Sequence, residues 1–386
     1  MTGACAWRGE GGSLPGGWRS IRSLDPDLEA LVVLRCPGTP HSTSTLRCWF
    51  VYTVIPEARM LSRVLLVVAL AAGANAAAAA IEESSRDGKL FPVINIITFD
   101  NAPCTAQSGE MGTCYSQKEC EGLAGTPSGT CANGFGICCV LTATCDGTIS
   151  VNGTYFTSPG YPSTYSTPGT CMVEILPPAG TCQILLEFES FNLMGPVNGD
   201  CNNDTFVVMG ANAGSNIPVI CGANTGQHMY IDVDHSSGPY KLMVTSSSLA
   251  YARNWKIKVT FLDENDPCKA PPRCLQYFKE TSGAITSFNF GPEPMMLTNQ
   301  QYCICFGYNP GFCDIGMNFN RLDLGNVNGN CGNDFLGIGS EKLCGDFGTL
   351  TAQANATGPI SLCVYSDDNN DREEEGFNAN YLMLAC

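Results

Sequence analysis

Trp255-Lys-Ile-Lys-Val-Thr-Phe261 places Trp255, Ile257, Val259 and Phe261 on one side of an extended chain and Lys256, Lys258 and Thr260 on the other. Side chains alternate across a strand, so this period of two predicts a half-buried β-strand with one face in a core and one in water. The same period recurs upstream. Ile184, Leu186 and Phe188 alternate with Leu185, Glu187 and Glu189, and Met229, Ile231 and Val233 alternate with Tyr230, Asp232 and Asp234. Turn clusters at Ser158-Pro-Gly-Tyr-Pro162 and Ser236-Ser-Gly-Pro239 divide the runs. Strands of this kind, each with one apolar face, pack face to face as antiparallel sandwiches, so the predicted fold class is all-β.

Composition agrees. With 42 Gly and 23 Pro in 386 residues, turns outnumber long helices, and 44% hydrophobic content is enough for two or three separate cores. The 23 cysteines call for an oxidising compartment or a metal framework. Metal is disfavoured, because the chain has only His41, His228 and His235, none in a Cys/His ligand spacing.

A targeting segment points the same way. Met60-Leu-Ser-Arg63, the apolar run Val64 to Ala72 and the small residues of Ala74-Asn-Ala76 read as a signal peptide over 60–76. The competing reading is a signal anchor spanning Val64 to Ile81, which is near the minimum length for a membrane span. Residues 1–59 lack a periodic pattern and read as an upstream translation artefact. Beyond residue 76 there remain 20 cysteines, and 31 Asp and Glu face 13 Lys and Arg, a net of −18. Such a surface repels nucleic acid and acidic lipid and favours basic partners or cations. Sequons at Asn152, Asn203 and Asn355 agree with secretion.

Along the chain, 77–103 reads as a flexible lead with a short apolar strand from Leu90 to Thr98. Cys104, Cys114, Cys120, Cys131, Cys138 and Cys139 then crowd a piece too small for an apolar core, so disulfides must hold it. Its spacing, with the adjacent final pair, resembles a clip domain of arthropod extracellular proteins over 104–140. That resemblance implies the pairs Cys104–Cys138, Cys114–Cys131 and Cys120–Cys139, one of fifteen arrangements that six cysteines allow.

The longer region that follows resembles a CUB domain over 145–262. The resemblance rests on Cys145, Gly153-Thr-Tyr-Phe-Thr-Ser-Pro-Gly-Tyr-Pro162 and Cys171, then on Phe188-Glu-Ser-Phe-Asn-Leu193, Cys201-Asn-Asn-Asp204 and Cys221-Gly222. It implies the pairs Cys145–Cys171 and Cys201–Cys221. After a proline-rich linker at 263–273, a diverged second copy is predicted over 274–386. Gly283-Ala-Ile-Thr-Ser-Phe-Asn-Phe290 echoes the opening, and Cys331-Gly-Asn-Asp334 and Cys344-Gly345 echo the middle, implying Cys331–Cys344. The partners of Cys182, Cys268, Cys274, Cys303, Cys305, Cys313, Cys363 and Cys386 stay open. As a whole, residues 90–386 resemble arthropod secreted CUB-containing proteins with a clip-like cluster in front, a group that also shares strings like Ala270-Pro-Pro-Arg-Cys-Leu-Gln-Tyr277 and Asn299-Gln-Gln-Tyr302.

Catalysis finds little support. No Gly-Asp-Ser-Gly nucleophile turn is present, and His228 and His235 fall on predicted strand or turn. Asp232 and Asp234 share one strand face that should be wet, which leaves nothing to raise a carboxyl pKa. Calcium is the cofactor to weigh, since the CUB resemblance implies a site built from a Glu, a middle Asp and a late Asp. In the first copy Asp204 fits, but Met194 and Ser246-Ser-Ser248 replace the others, so that site should be empty. In the second, Asp334, Asp367 and Asp368 fit, with Gly325 near the Glu position and Asp323 or a carboxylate of 371–375 as substitutes. The run Asp367-x-Asn369-x-Asp371 hints at an EF-hand, but Arg372 stands where the turn needs Gly.

The expectation is therefore a non-catalytic extracellular protein that binds proteins or glycans through loops. Tyr161, Tyr165, Asp204 and Tyr251 are the candidates in the first domain, and Asp334, Asp367 and Asp368 in the second. The alternative is a non-catalytic regulator of a clip-protease cascade that docks through residues 104–139.

Overall fold

The computed structural model describes residues 32–35, 49–52, 98–211, 215–233, 239–307, 310–325, 331–355, 360–368, 370 and 373–386. The chain divides into two units, Met1–Asn95 and Ile96–Cys386. In the first, β1 (Val32–Arg35) pairs antiparallel with β2 (Trp49–Tyr52). The signal peptide at 60–76, the anchor alternative at 64–81 and the strand expected from Leu90 lie outside the described residues, apart from Thr98. Among the described residues no helix is long and apolar enough to cross a membrane.

The second unit opens with a cysteine-rich module. Strands β3 (Pro103–Thr105), β4 (Met111–Tyr115), β5 (Thr126–Cys131) and β6 (Gly136–Val140) form a sheet in the order β3-β4-β6-β5. Helix α1 (Gln117–Gly122) is started by a capping box, in which Ser116 Oγ accepts from Glu119 N and Glu119 carboxylate accepts from Ser116 N. Bridges Cys104–Cys138, Cys114–Cys131 and Cys120–Cys139 supply the rigidity that so small a core cannot. Gly125 belongs to this economy of space, because a Cβ there would come within 2.3 Å of Cys139 Sγ.

The first sandwich follows. Its strands are β7 (Thr142–Ala143), β8 (Thr148–Ile149), β9 (Thr154–Thr157), β10 (Gly169–Ile175), β11 (Thr181–Asn192), β12 (Thr205–Met209), β13 (His228–Asp232), β14 (Tyr240–Ser246) and β15 (Asn254–Asp263). They make a four-stranded sheet, β12-β14-β10-β8, and a five-stranded sheet, β13-β11-β15-β9-β7. Trp255, Ile257, Val259 and Phe261 are buried between the sheets, as the alternation predicts. The pairing is not wholly antiparallel, since β8 with β10 and β7 with β9 run parallel.

The second sandwich comprises β16 (Gln276–Phe278), β17 (Ser282–Thr286), β18 (Gln301–Phe306), β19 (Phe312–Leu324), β20 (Phe335–Ile338), β21 (Glu341–Leu343), β22 (Gly345–Phe347), β23 (Leu350–Asn355), β24 (Ser361–Tyr365) and β25 (Gly376–Ala385). One sheet runs β16-β18-β24-β20-β21 and the other β17-β25-β19-β22, with β23 also on β19. Cys274–Cys305, Cys303–Cys363, Cys313–Cys386 and Cys331–Cys344 close here, and Cys145–Cys171 and Cys201–Cys221 close in the first sandwich.

Two outward faces that the alternation assigns to water are covered instead. Lys256, buried on the polar side of β15, reaches Glu110 of the cysteine-rich module and Glu189, the latter at 2.8 Å, while its ammonium sits 4.3 Å from the Tyr155 ring centroid. Tyr155 in turn accepts from Met111 N at 3.1 Å, so the module is docked on the first sandwich. On β13, Tyr230 is buried under residues of the linker and second sandwich, with Tyr230 N donating to Leu275 O. Asp232, on the same face, accepts from Gln183 Nε2 at 2.7 Å and from Arg273 N at 3.0 Å. The linker is thus fastened down, with Gln183 also accepting from Ala270 N and donating to Ala270 O.

The sandwiches meet along a polar seam. Asn289 N donates to Asn224 Oδ1, Ala223 N donates to Asn289 Oδ1, Gln227 Nε2 donates to Ser287 O, and Thr298 Oγ1 donates to Asp200. Beneath this seam one continuous apolar cluster contains core residues of both sandwiches.

Candidate functional site

At one end of the first sandwich, three loops converge on Arg253, which precedes β15. Both Arg253 and Asp204 have fully buried side chains, and the guanidinium grips the carboxylate through Nε (2.5 Å) and Nη2 (2.9 Å). The other donors of Arg253 go to the carbonyls of Ser247, Leu249 and Tyr251 and to Ser247 Oγ. Asp204 completes its shell with the amides of Met194 and Ser247, at 2.8 and 2.9 Å. Burial pushes the Asp204 carboxyl up, but the guanidinium and the two amides outweigh it and hold the pKa below the ordinary value. A bidentate pair whose carboxylate also accepts from two amides and whose guanidinium also reaches three carbonyls is the arrangement in which a buried ion pair holds its geometry.

This network rearranges the expected site. Asp204, counted among the ligand loops, does not face a ligand, because it is buried and spent on Arg253. The cation beside Asp204 is a guanidinium of the chain itself. The three tyrosines do gather around it. Tyr165 exchanges backbone hydrogen bonds with Arg253 and sets its ring edge-on to Trp255, Tyr251 donates to Asn192 Oδ1 at 3.0 Å, and Tyr161 lies in the turn whose Ser158 accepts from Trp255 N. All three are half-buried, and Leu249 between them is 48% exposed.

In the second sandwich Asp334 Oδ1 accepts from Asp367 N (2.8 Å), and Asp367 Oδ2 accepts from Asn333 Nδ2 (3.0 Å). Asp368 is exposed. Asp323, a candidate substitute ligand, is instead held by Arg321, which also meets Glu375 and Asp346. Among the described residues no group of three or more His, Cys, Asp or Glu side chains is arranged to hold a metal ion, and calcium takes six or more oxygens. Asn369, Asp371 and Arg372 of the EF-hand hint lie outside the described residues.

His228 opens β13 and belongs to the joint. Its Nε2 accepts from Tyr277 N at 3.0 Å, and its ring packs edge-on to Tyr230 and Phe278. Burial lowers its pKa to about 4 despite the nearby Glu187. His235 and Asp234 lie outside the described residues, so the Asp232 and Asp234 pair is not tested as a pair. Asp232 itself is tied to Gln183 and to the linker rather than solvated.

Of the expected glycosylation positions, Asn152 is exposed with Oδ1 accepting from Phe261 N, Asn203 is half-buried, and the side chain of Asn355 is outside the described residues. Cys182 is buried with Sγ 3.7 Å from Gly180 O, and exposed Cys268 has Sγ 3.9 Å from Lys279 Nζ. Arg253 carried no motif in the sequence. Its signal was indirect: a middle Asp whose other expected metal ligands are missing needs a cation from somewhere.

The family models accord with this architecture. The mouse (Mus musculus) and rat (Rattus norvegicus) forms of Neuropilin-1 are each 28% identical to the chain over 258 residues, which is 62% of this chain and 26% of theirs. The chain thus spans about a quarter of the length of these relatives. Among solved structures, the CUB1-EGF-CUB2 domains of rat MASP-1 align over 62% of this chain and 99% of that one, at 16% identity and a TM-score of 0.24. The CUB domain family model matches residues 145–258 and the animal CUB domain model residues 271–384, the two sandwiches in turn, and the chain therefore carries two consecutive CUB domains.

Proposed function

We propose that the protein is a secreted, non-catalytic binding protein that engages an extracellular protein or glycan through the loop end of its first CUB domain. The observation that carries this reading is the buried Arg253–Asp204 pair, which pins three loops from within and leaves Tyr161, Tyr251 and Leu249 at the surface. Preorganised loops lose little entropy on binding, and tyrosines offer large contact area with few rotatable bonds. Export fits the disulfide content, the signal peptide at 60–76 and glycosylation at Asn152, Asn203 and Asn355. Arthropod origin belongs to the same reading. The test is affinity capture from extracellular fluid by the intact protein. Loss of the captured partner in Tyr161→Ala/Tyr251→Ala is the expected result, and undiminished capture by that variant removes the loop end from the account.

A second reading has an observation of its own. The three-bridge module at 104–139, with exposed Phe135 (60%), is a folded unit set in front of the CUB domains, as a clip-like docking handle for a protease cascade requires. Capture that survives the tyrosine substitutions but is lost in Phe135→Asp favours it.

A further inference from the structure

The string Ala270-Pro-Pro-Arg-Cys-Leu-Gln-Tyr277 has no part in the loop end. It walls a cavity of about 170 Å³ between the two CUB domains, with Tyr230 and Asp232 of the first domain on one side and Gln301 and Tyr365 of the second on the other. Arg273 stands at the rim. Its side chain is exposed and its φ is +71°, a left-handed conformation that a residue with a Cβ keeps only where its surroundings hold it. They do so here, because Arg273 N donates to Asp232 and Cys274 is bridged to Cys305.

The charge distribution around this arginine is what points to a ligand. Asp232 is the acidic residue of the cavity wall, yet its oxygens are taken by Arg273 N and by Gln183 Nε2, so it fixes the backbone and does not pair with the guanidinium. Among the described residues Arg273 makes no ion pair. In a chain with 36 acidic and 20 basic residues, a guanidinium that forms no ion pair among the described residues and stands at the mouth of a cavity is set to receive an acid. The walls are stiff, since the Cys274–Cys305 and Cys303–Cys363 bridges cross them and Tyr365 is stacked on Phe335 with centroids 4.6 Å apart. Tyr230 and Tyr365 supply flat apolar surface, and Gln301 and Asn216 supply amides. Flat C–H faces, several hydroxyls and one carboxylate are together the chemistry of a sugar acid.

We propose that this cavity binds a pyranose carrying a carboxylate, one uronic acid unit, with the carboxylate on Arg273 and the ring against Tyr230 and Tyr365. The inference rests on the extracellular binding role proposed above and adds a ligand class at a place separate from the loop end.

The test titrates the intact protein calorimetrically with sodium glucuronate, glucose and sodium sulfate at matched ionic strength. Glucuronate is expected to bind, with glucose and sulfate each at least about tenfold weaker, because one charge-assisted contact and the sugar-ring contacts are each lost in turn. Arg273→Gly suits the left-handed backbone, so it should leave the melting temperature level or raised while weakening glucuronate about tenfold or more. Asn216→Asp, an exposed change that cannot disturb the core, should weaken it likewise by repulsion. Equal binding of glucose, sulfate as tight as glucuronate, or an unaffected Arg273→Gly each overturns the proposal. No binding of glucuronate, with partner capture retained through the loop end, overturns this site alone; loss of both overturns the binding role as well.

Discussion

Arg253 and His228 show how single residues set the conditions under which this fold stands. Removing one partner of a buried ion pair strands the other, so Arg253→Met should destabilise the first CUB domain by about 3–5 kcal/mol. Pairing it with Asp204→Leu should recover much of that loss. Denaturant unfolding of the three variants measures both, and a single substitution as mild as the double one speaks against the pair. The pH dependence has two parts. The Asp204 pKa is depressed in the fold, so its contribution is present above the ordinary carboxyl range and is lost as pH falls through the folded value. For His228, depressed to about 4 against an ordinary 6.5, the unfolded chain binds the extra proton between those values. Stability should therefore be level above about pH 6.5 and fall by up to about 3 kcal/mol toward pH 4. Glu187 is the charged group that opposes this shift, and Tyr277, Tyr230 and Phe278 form the rest of the surroundings. His228→Gln, which can still accept from Tyr277 N, should flatten the acid limb of a melting-temperature profile; an unchanged slope assigns the acid loss elsewhere.

At the scale of elements, the core faces of the strands were legible and the covered faces were not. Trp255 to Phe261 lies as its alternation requires, because a period of two identifies which side is apolar. Nothing in that period says that Glu110, far away in sequence, will come to Lys256, or that Leu275 will lie on Tyr230. Such coverings depend on partners with no local pattern, and the seam is polar besides, made of Asn and Gln that read as surface. The loop-end tyrosines were visible as turn residues, whereas Arg253 was invisible without the carboxylate it serves. The seam itself can be tested at Gly222. Its φ is +75°, and a Cβ would fall 1.8 Å from Asn289 Oδ1. Gly226, with φ of +86° and nothing within 4 Å, shares the backbone demand but not the contact. Gly226→Ala should cost about 1 kcal/mol from backbone strain alone, and Gly222→Ala about 1–3 kcal/mol more from overpacking. Amide exchange at Ala223 and Asn289 should quicken only in the Gly222 variant. Equal effects in both variants mean that the contact adds nothing.

At the scale of the molecule, the decisive question is whether two CUB domains joined by a proline-rich linker move independently or as one body. Segments between domains are ordinarily where chains are nicked, and tolerance to cleavage follows from the burial and hydrogen bonding of the backbone rather than from composition. Here Lys269 and Arg273 offer trypsin two bonds within residues 263–273. Lys269 is tethered to Glu264, Ala270 is bonded on both sides to Gln183, Arg273 N is held by Asp232, and Cys274 is bridged to Cys305. A protease must draw an extended stretch of several residues into its cleft, which requires all of these to release together. Since the apolar cluster and polar seam are shared by both domains, that release should occur only with unfolding of the joint. Native digestion should therefore leave the linker intact, with cleavage rising in step with the global unfolding transition as urea is added. Gln183→Ala removes the clamp on Ala270 without touching the seam, and should admit cleavage after Lys269 well below that transition. Rapid native cutting of the wild-type linker, resolved by mass spectrometry after reduction, means that the two domains are hinged and that their ligand surfaces hold no fixed relation to each other.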